Sequence, residues 1–141
     1  IDMCYEHGSD VKLPEQLFAE LYKNSHRDYT TGFYFKDKDN VCLETSQPKC
    51  DYEFMAQVIG YREDIGMLEV EMRNRFKAGD ELEILSPGKH WNEKIKIEKM
   101  YDVDMAPIED AKIVQQRIFI PTSKRLEYLD ILRKKTNAAL K

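Results

Sequence analysis

A mainly β fold, a small closed antiparallel β-barrel of about six strands with one helix ahead of it, is what this sequence predicts. Three observations carry that reading. Short apolar and β-branched runs recur along the chain with polar turn residues between them, as half-buried strands require. No helix-length segment separates those runs, so the crossovers that a parallel sheet needs are missing. The chain has 141 residues, 42% hydrophobic and 34% charged, enough for one core but not two. Six short strands in so small a domain hide their edges best by closing on themselves.

The elements follow in order. The opening is polar up to Leu13, and Pro14 suits a first helical turn because the N–H it lacks would be unpaired there anyway. Leu17, Phe18, Leu21 and Tyr22 recur at helical spacing with Glu15 and Glu20 opposite, which predicts one amphipathic helix from about Pro14 to Asn24. Its apolar face, Leu17, Phe18 and Leu21, is expected against the outside of the barrel. Tyr29 to Phe35 is aromatic and β-branched and reads as the first strand, closed by the polar turn Lys36 to Asn40.

Further strands are expected at Tyr52 to Tyr61, Met67 to Met72, Glu81 to Leu85, Lys94 to Met100, Ile113 to Ile120 and, briefly, Asp130 to Arg133. Alternation is strict from Lys94 to Glu98, and Gly79-Asp80 and Ser86-Pro87-Gly88 are turn signals. Gly79 is expected in a conformation that disfavours a side chain, with Asp80 capping the turn through nearby backbone N–H groups. Leu126, Leu129 and Leu132 also fall at helical intervals, so Thr122 to Arg133 has a second reading as a helix, and Lys134 to Lys141 reads as a frayed tail. Alternate positions place Phe33, Phe35, Phe54, Val58, Leu68, Val70, Leu82, Ile84, Ile95, Ile97, Ile118 and Ile120 in one interior. The layout is a leading segment over 1–28 and a barrel over 29–141.

The charge sum of 22 basic and 26 acidic residues is −4, so the chain lacks the overall positive field of a dedicated nucleic-acid wrapper, and any basic site must be local. Cys4, Cys42 and Cys50 are odd in number and irregular in spacing, which speaks for reduced thiols in the cytoplasm. No run approaches the ~20 apolar residues of a membrane span, and the first residues lack a signal-peptide pattern. The expectation is a soluble cytoplasmic chain with no membrane partner. It begins at Ile1 and reads as a domain cut from a longer parent.

Cys4 and His7, with Cys42 and Cys50, are four ligands of the kind zinc takes, but structural zinc uses two tight pairs and the second pair here is too widely spaced. No metal site is assigned. A nucleophilic hydrolase would need a base near a Ser or Cys, and no local motif around His7, His26 or His90 supplies one. Phosphate-loop, dinucleotide and zinc-protease motifs are equally missing. Glu63-Asp64 and Glu109-Asp110 fall in expected turns, where solvation accounts for them. No catalytic residue is assigned.

Two clusters combine cationic and aromatic groups. One is Ser25-His26-Arg27-Asp28-Tyr29-Thr30-Thr31-Gly32-Phe33-Tyr34-Phe35, the other Arg73-Asn74-Arg75-Phe76-Lys77. Guanidinium and hydroxyl groups hold phosphate while aromatic rings stack on bases, so His26, Arg27, Tyr29, Phe33, Arg73, Arg75 and Lys77 are candidate contacts to RNA or another substrate. The plainer alternative is that His26, Arg27 and Tyr29 pin the helix to the barrel and that Arg73 and Arg75 merely flank a hairpin.

The first cluster resembles the Ser-His-Arg-x-Tyr-Thr-Thr-Gly-Phe-Tyr signature in the C-terminal part of the collagenase-like bacterial peptidases, family U thirty-two. Asn74-Arg75-Phe76-Lys77-Ala78-Gly79-Asp80-Glu81-Leu82-Glu83 resembles that family's Asn-Arg-Phe-x-x-Gly-Asp-x-Leu-Glu stretch, and Asp130-Ile131-Leu132-Arg133 its closing Asp-x-Leu-Arg. The likeness runs from about Leu17 to Lys134. It implies a parent with a larger, TIM-barrel-like catalytic region ahead of a small barrel similar to the second domain of elongation factor Tu. Residues 1–28 would then be the linker from that catalytic region, and 29–141 an accessory domain positioning a macromolecular substrate. The peptidase signature belongs to the region ahead, so no hydrolase or protease residue carries over. Relatives are also implicated in hydroxylation of tRNA or rRNA, with an iron–sulfur cluster held by cysteines of the catalytic region, none of which Cys4, Cys42 or Cys50 matches. The resemblance therefore implies no cofactor in this chain, the parent's catalytic domain as partner, and either protein or RNA as substrate.

Overall fold

The computed structural model describes residues 2–12, 14–27, 29–30, 32, 34 and 50–136. They fall into two compact units, one within residues 1–52 and one over Glu53–Thr136, each built from its own local logic.

The first unit holds helix α1 (Asp2–His7), a 3-10 turn (Gly8–Asp10) and helix α2 (Glu15–Lys23). Helix α2 confirms the amphipathic expectation within a residue at each end. Pro14 stands at its N-cap, and the Pro14 carbonyl accepts from the Leu17 amide at 3.0 Å. Glu15 in the first turn and Lys23 in the last match the helix dipole. Leu17, Phe18 and Leu21 stay close to half exposed. Helix α1 was not foreseen, since its six residues carry no apolar stripe.

A first strand over Tyr29–Phe35 is not what the described residues of that stretch form. Tyr29 and Thr30 lie outside any strand, and Gly32 and Tyr34 are in a turn. Gly32 has φ +57° and donates its amide to Thr30 Oγ1 at 3.3 Å, a local hydroxyl turn that competes with extended pairing. Phe33, Phe35, Cys42 and the Lys36–Asn40 turn lie outside the described residues.

The second unit is β throughout: β1 (Tyr52–Arg62), β2 (Met67–Met72), β3 (Phe76–Lys77), β4 (Glu81–Leu85), β5 (Lys94–Lys96), β6 (Met100–Tyr101), β7 (Pro107–Ile108), β8 (Asp110–Ala111), β9 (Arg117–Pro121) and β10 (Ile131–Lys135). Eight strands form one sheet in the order β5-β4-β10-β1-β2-β9-β6-β7, and β3 pairs with β8 in a separate ribbon. The end strands β5 and β7 are not paired with each other, so the sheet is an open, curled half-barrel and not the closed six-strand barrel expected. The edges are blunted by a different device. Each end strand is only three or two residues long, and β5 carries Lys94 and Lys96.

Strand parity gave the interior correctly at nine of the ten expected core positions among the described residues. Val58, Leu68, Val70, Leu82, Ile84, Ile95, Ile97, Ile118 and Ile120 are all buried, joined by Met55, Met72, Phe76, Met100, Leu126 and Leu132. The register sets Val58 opposite Val70, Val70 opposite Ile118 and Leu68 opposite Ile120, one continuous apolar row across three strands. Phe54 is the exception, 39% exposed. Pairing of β1 with β2 begins only at Ala56 opposite Met72, and the chain bends away at Arg73 and Asn74, so Phe54 stands before the paired part of the strand.

Three boundaries are corrected. The expected strand Lys94–Met100 breaks after Lys96, because Ile97 exchanges backbone bonds with Gly79 and Asp80 instead. The expected strand from Ile113 starts only at Arg117; Ile113 and Val114 are exposed in a loop that Gln115 closes at φ +63°. Thr122–Arg133 is not a helix. Leu126 and Leu132 are buried, but Leu129 is exposed at φ +74° in a turn where the Asp130 carboxylate accepts from the Glu127 amide, and β10 then pairs with β4. Lys134 and Lys135, expected to fray, belong to β10. No helix among the described residues is long and apolar enough to cross a membrane.

Candidate functional site

In the first unit, His26 and Tyr29 stack with ring centroids 5.2 Å apart and planes within 5°, and Tyr22 meets both edge-on at 5.1 and 5.3 Å. The His26 Nδ1 donates to the Asn24 carbonyl at 2.7 Å and the Tyr29 hydroxyl to the Leu21 carbonyl at 2.9 Å. These bonds tie the chain leaving α2 back onto the helix C-terminus, where carbonyls lack partners. One face of the Tyr29 ring is thus used locally. Arg27 is exposed beside this cluster and makes no ion pair among the described residues. Phe33 lies outside the described residues.

In the second unit, Arg73, Arg75 and Lys77 lead from β2 into β3, and the buried Phe76 anchors the segment. The Arg73 guanidinium sits 2.9 Å from Glu71 and donates to Gln57 Oε1 at 3.3 Å. Arg75 grips the Asp110 carboxylate of β8 through two bonds, of 2.9 and 2.5 Å. That bond, with the guanidinium charge and Lys112 nearby, holds the Asp110 carboxyl below its ordinary range against slight burial, and raises Arg75 in return. Lys77 makes no ion pair among the described residues; its amide donates to Asp80 Oδ2 at 3.0 Å, the turn cap the sequence foretold, with Gly79 at φ +94°.

Asp80 also receives the Lys134 ammonium from β10 at 2.8 Å. Burial acts most strongly on Asp80 and raises its pKa, yet the Lys134 bond, the Lys77 amide and the charges of both lysines together outweigh it and leave the carboxyl below its usual value. Arg75, Lys77, Asp80, Asp110 and Lys134 line a hollow of about 350 Å³. A larger hollow of about 650 Å³ adjoins it, sharing Lys77 and Asp110 and extending to Lys99, Tyr101, Pro107 and Ile108. The structure therefore gathers Arg75 and Lys77 at one place and leaves Arg73 engaged with Glu71. Sequence reasoning missed Lys134, Lys99, Tyr101 and Asp110. Lys134 had a signal, directly following the Asp130–Arg133 motif; the others reach the site only through the β3–β8 and β6–β7 pairings.

No three His, Cys, Asp or Glu side chains converge as metal ligands among the described residues. Cys4 and Cys50 are free and exposed, and the Cys50 thiol donates to the Tyr52 carbonyl.

Residues 50–133 match the model of the peptidase family U32 C-terminal domain. Over 136 residues, 95% of this chain, the sequence is 27% identical to the tRNA hydroxylation protein P1 of Bacillus subtilis, and over 131 residues 28% identical to the tRNA hydroxylation protein P of Haemophilus influenzae. The matched regions are 32% and 27% of those relatives, so the chain spans between a quarter and a third of their length. Two crystal structures of the C-terminal domain of a U32 peptidase-family protein from Geobacillus thermoleovorans are similar in fold, with TM-scores of 0.54 and 0.51 and 32% identity; they cover 58% and 60% of this chain and 99% and 93% of their own. The matched family segment covers the half-barrel as far as Arg133, Arg75 and Lys77 included, and the chain belongs to the peptidase family U32 C-terminal domain.

Proposed function

We propose that this chain is a noncatalytic accessory domain that positions a macromolecular substrate for a catalytic region elsewhere in a longer protein, and that the substrate is a tRNA. The observation that carries the choice of tRNA is that both tRNA hydroxylation relatives align along nearly the whole chain, through the leading segment and the half-barrel alike. The local chemistry supports it. With a net charge of −4 the chain must hold an anionic backbone at a local cationic site, and Arg75, Lys77 and Lys134 converge on one hollow with Lys99 beside it. Arg27, exposed and next in sequence to His26 of the His26–Tyr29 stack, offers a second contact of the same kind.

Gel-shift titration with bulk tRNA tests the reading. Binding is expected at low salt, weakening steeply as salt rises, and Lys77→Glu with Lys134→Glu should reduce both the affinity and the salt slope. No binding at low salt would overturn tRNA as the substrate. The peptidase name of the family favours a protein substrate as second reading. Cleavage of casein or gelatin by this chain, abolished by a substitution of one of its own side chains, would overturn the noncatalytic role.

A further inference from the structure

We propose that the larger hollow admits one unstacked nucleotide of a single-stranded RNA segment, its base against Tyr101, Pro107 and Ile108 and its flanking phosphates at Lys77 and Lys99. The proposal rests on the tRNA reading and says which part of the RNA is held. Size comes first: about 650 Å³ lies within the usual range of small-ligand pockets, roughly 300–1,000 Å³. Charge comes second. Lys77 and Lys99 share the lining with three carboxylates: Asp110 is held by Arg75 and Lys112, while Glu98 and Glu109, like the two lysines, make no ion pair among the described residues. A phosphate backbone laid along such a floor would meet as much repulsion as attraction. The uncharged part of a nucleotide would not: carboxylates accept from ribose 2′-hydroxyls and from exocyclic amines, while the lysines take the phosphates.

The apolar wall completes the fit. Met100 is buried and serves as floor, whereas Tyr101 is half-buried and stands in register opposite Phe119 on one side and Pro107 on the other. The strand pairings hold the Tyr101 backbone at the wall of the hollow, a tyrosine has only two side-chain torsions to order when a base stacks on it, and stacking tolerates any base. The phenol makes no hydrogen bond among the described residues, so it too is open to a ligand. Lys77 stands at the junction of both hollows, which lets one phosphate there be shared with the Arg75 and Lys134 site while its base turns into the larger one.

The test is fluorescence anisotropy with a short labelled single-stranded RNA and the same backbone carrying abasic sites. The intact RNA is expected to bind roughly 5- to 150-fold more tightly, the span that one stacked base supplies. Tyr101→Leu should erase that difference while lowering the affinity for the abasic backbone little, with a thermal melt showing that the variant folds. The abasic comparison can overturn the proposal without any variant, and if Tyr101→Leu does not fold, Ile108→Asp should likewise erase the preference for intact RNA, which separates this hollow from the His26–Tyr29 stack. Equal affinity for intact and abasic RNA would overturn the proposal and leave salt-dependent tRNA binding in place. No binding of tRNA or of either oligonucleotide would overturn both readings. Displacement of the bound RNA from the hollow by an unstructured peptide of mixed charge, at equal concentration, would identify a protein groove and overturn the proposal.

Discussion

Arg133 of β10 is almost wholly buried and donates from Nε and Nη2 to one carboxylate oxygen of Glu83 on β4, at 2.9 and 2.6 Å, with a further bond of 2.8 Å to Asn92 Oδ1. The two residues face each other in the β10–β4 register, fifty positions apart in sequence. This pair ties the last strand of the family motif into the sheet. Glu83→Ala takes away the carboxylate that this buried guanidinium faces and is expected to destabilise the half-barrel by about 3–5 kcal/mol. Replacing both by apolar residues of similar volume should cost far less. Denaturant unfolding of the two single variants and the double variant checks this.

Asp110 competes with any phosphate for Arg75. Asp110→Asn keeps the shape of the side chain and removes the charge that holds the guanidinium. Affinity for tRNA is expected to rise about two- to fivefold, the usual worth of an exposed ion pair, and the salt dependence to steepen. A binding isotherm at two salt concentrations reads both. Unchanged or weaker binding would mean that Arg75 does not meet the ligand.

Asp80 makes stability depend on acid. Its carboxyl titrates below the ordinary value of 3.8 in the folded chain, so its contribution is complete at neutral pH and is lost as pH falls through and below that value. Lys134→Met removes the bond that opposes burial and should raise the Asp80 pKa, moving the acid unfolding midpoint to higher pH. Circular dichroism across an acid titration of both proteins gives the shift, and a midpoint that does not move would contradict the role given to Lys134.

Gly79 isolates a backbone effect. A Cβ added there meets nothing within 4 Å, yet φ is +94°, a conformation that L side chains rarely adopt. Gly79→Ala is therefore expected to cost about 1–2 kcal/mol through conformation alone. The slack around it means that nothing needs to repack, so the loss should appear as a lower unfolding midpoint with an unchanged denaturant slope.

What the sequence by itself determined is what short-range physics controls. The period of Leu17, Phe18 and Leu21 placed α2, the alternation of Leu82 and Ile84 placed β4, and Gly79-Asp80 placed a capped turn, because each depends on residues within a few positions of one another. Arg75 and Lys77 were legible as a basic bend for the same reason. What only the tertiary structure decided is whatever joins distant strands. Parity cannot say whether a sheet closes, and here two very short edge strands let it stay open. Helical spacing of Leu126, Leu129 and Leu132 lost to the pairing of β10 with β4, since a strand that buries Leu132 and Arg133 against β4 gains more than an isolated helical turn does. The hollow beside Lys77 came together in the same way. Lys134 arrives from the last strand, Asp110 from the β3–β8 ribbon and Tyr101 from a two-residue strand, and no local pattern records that they meet.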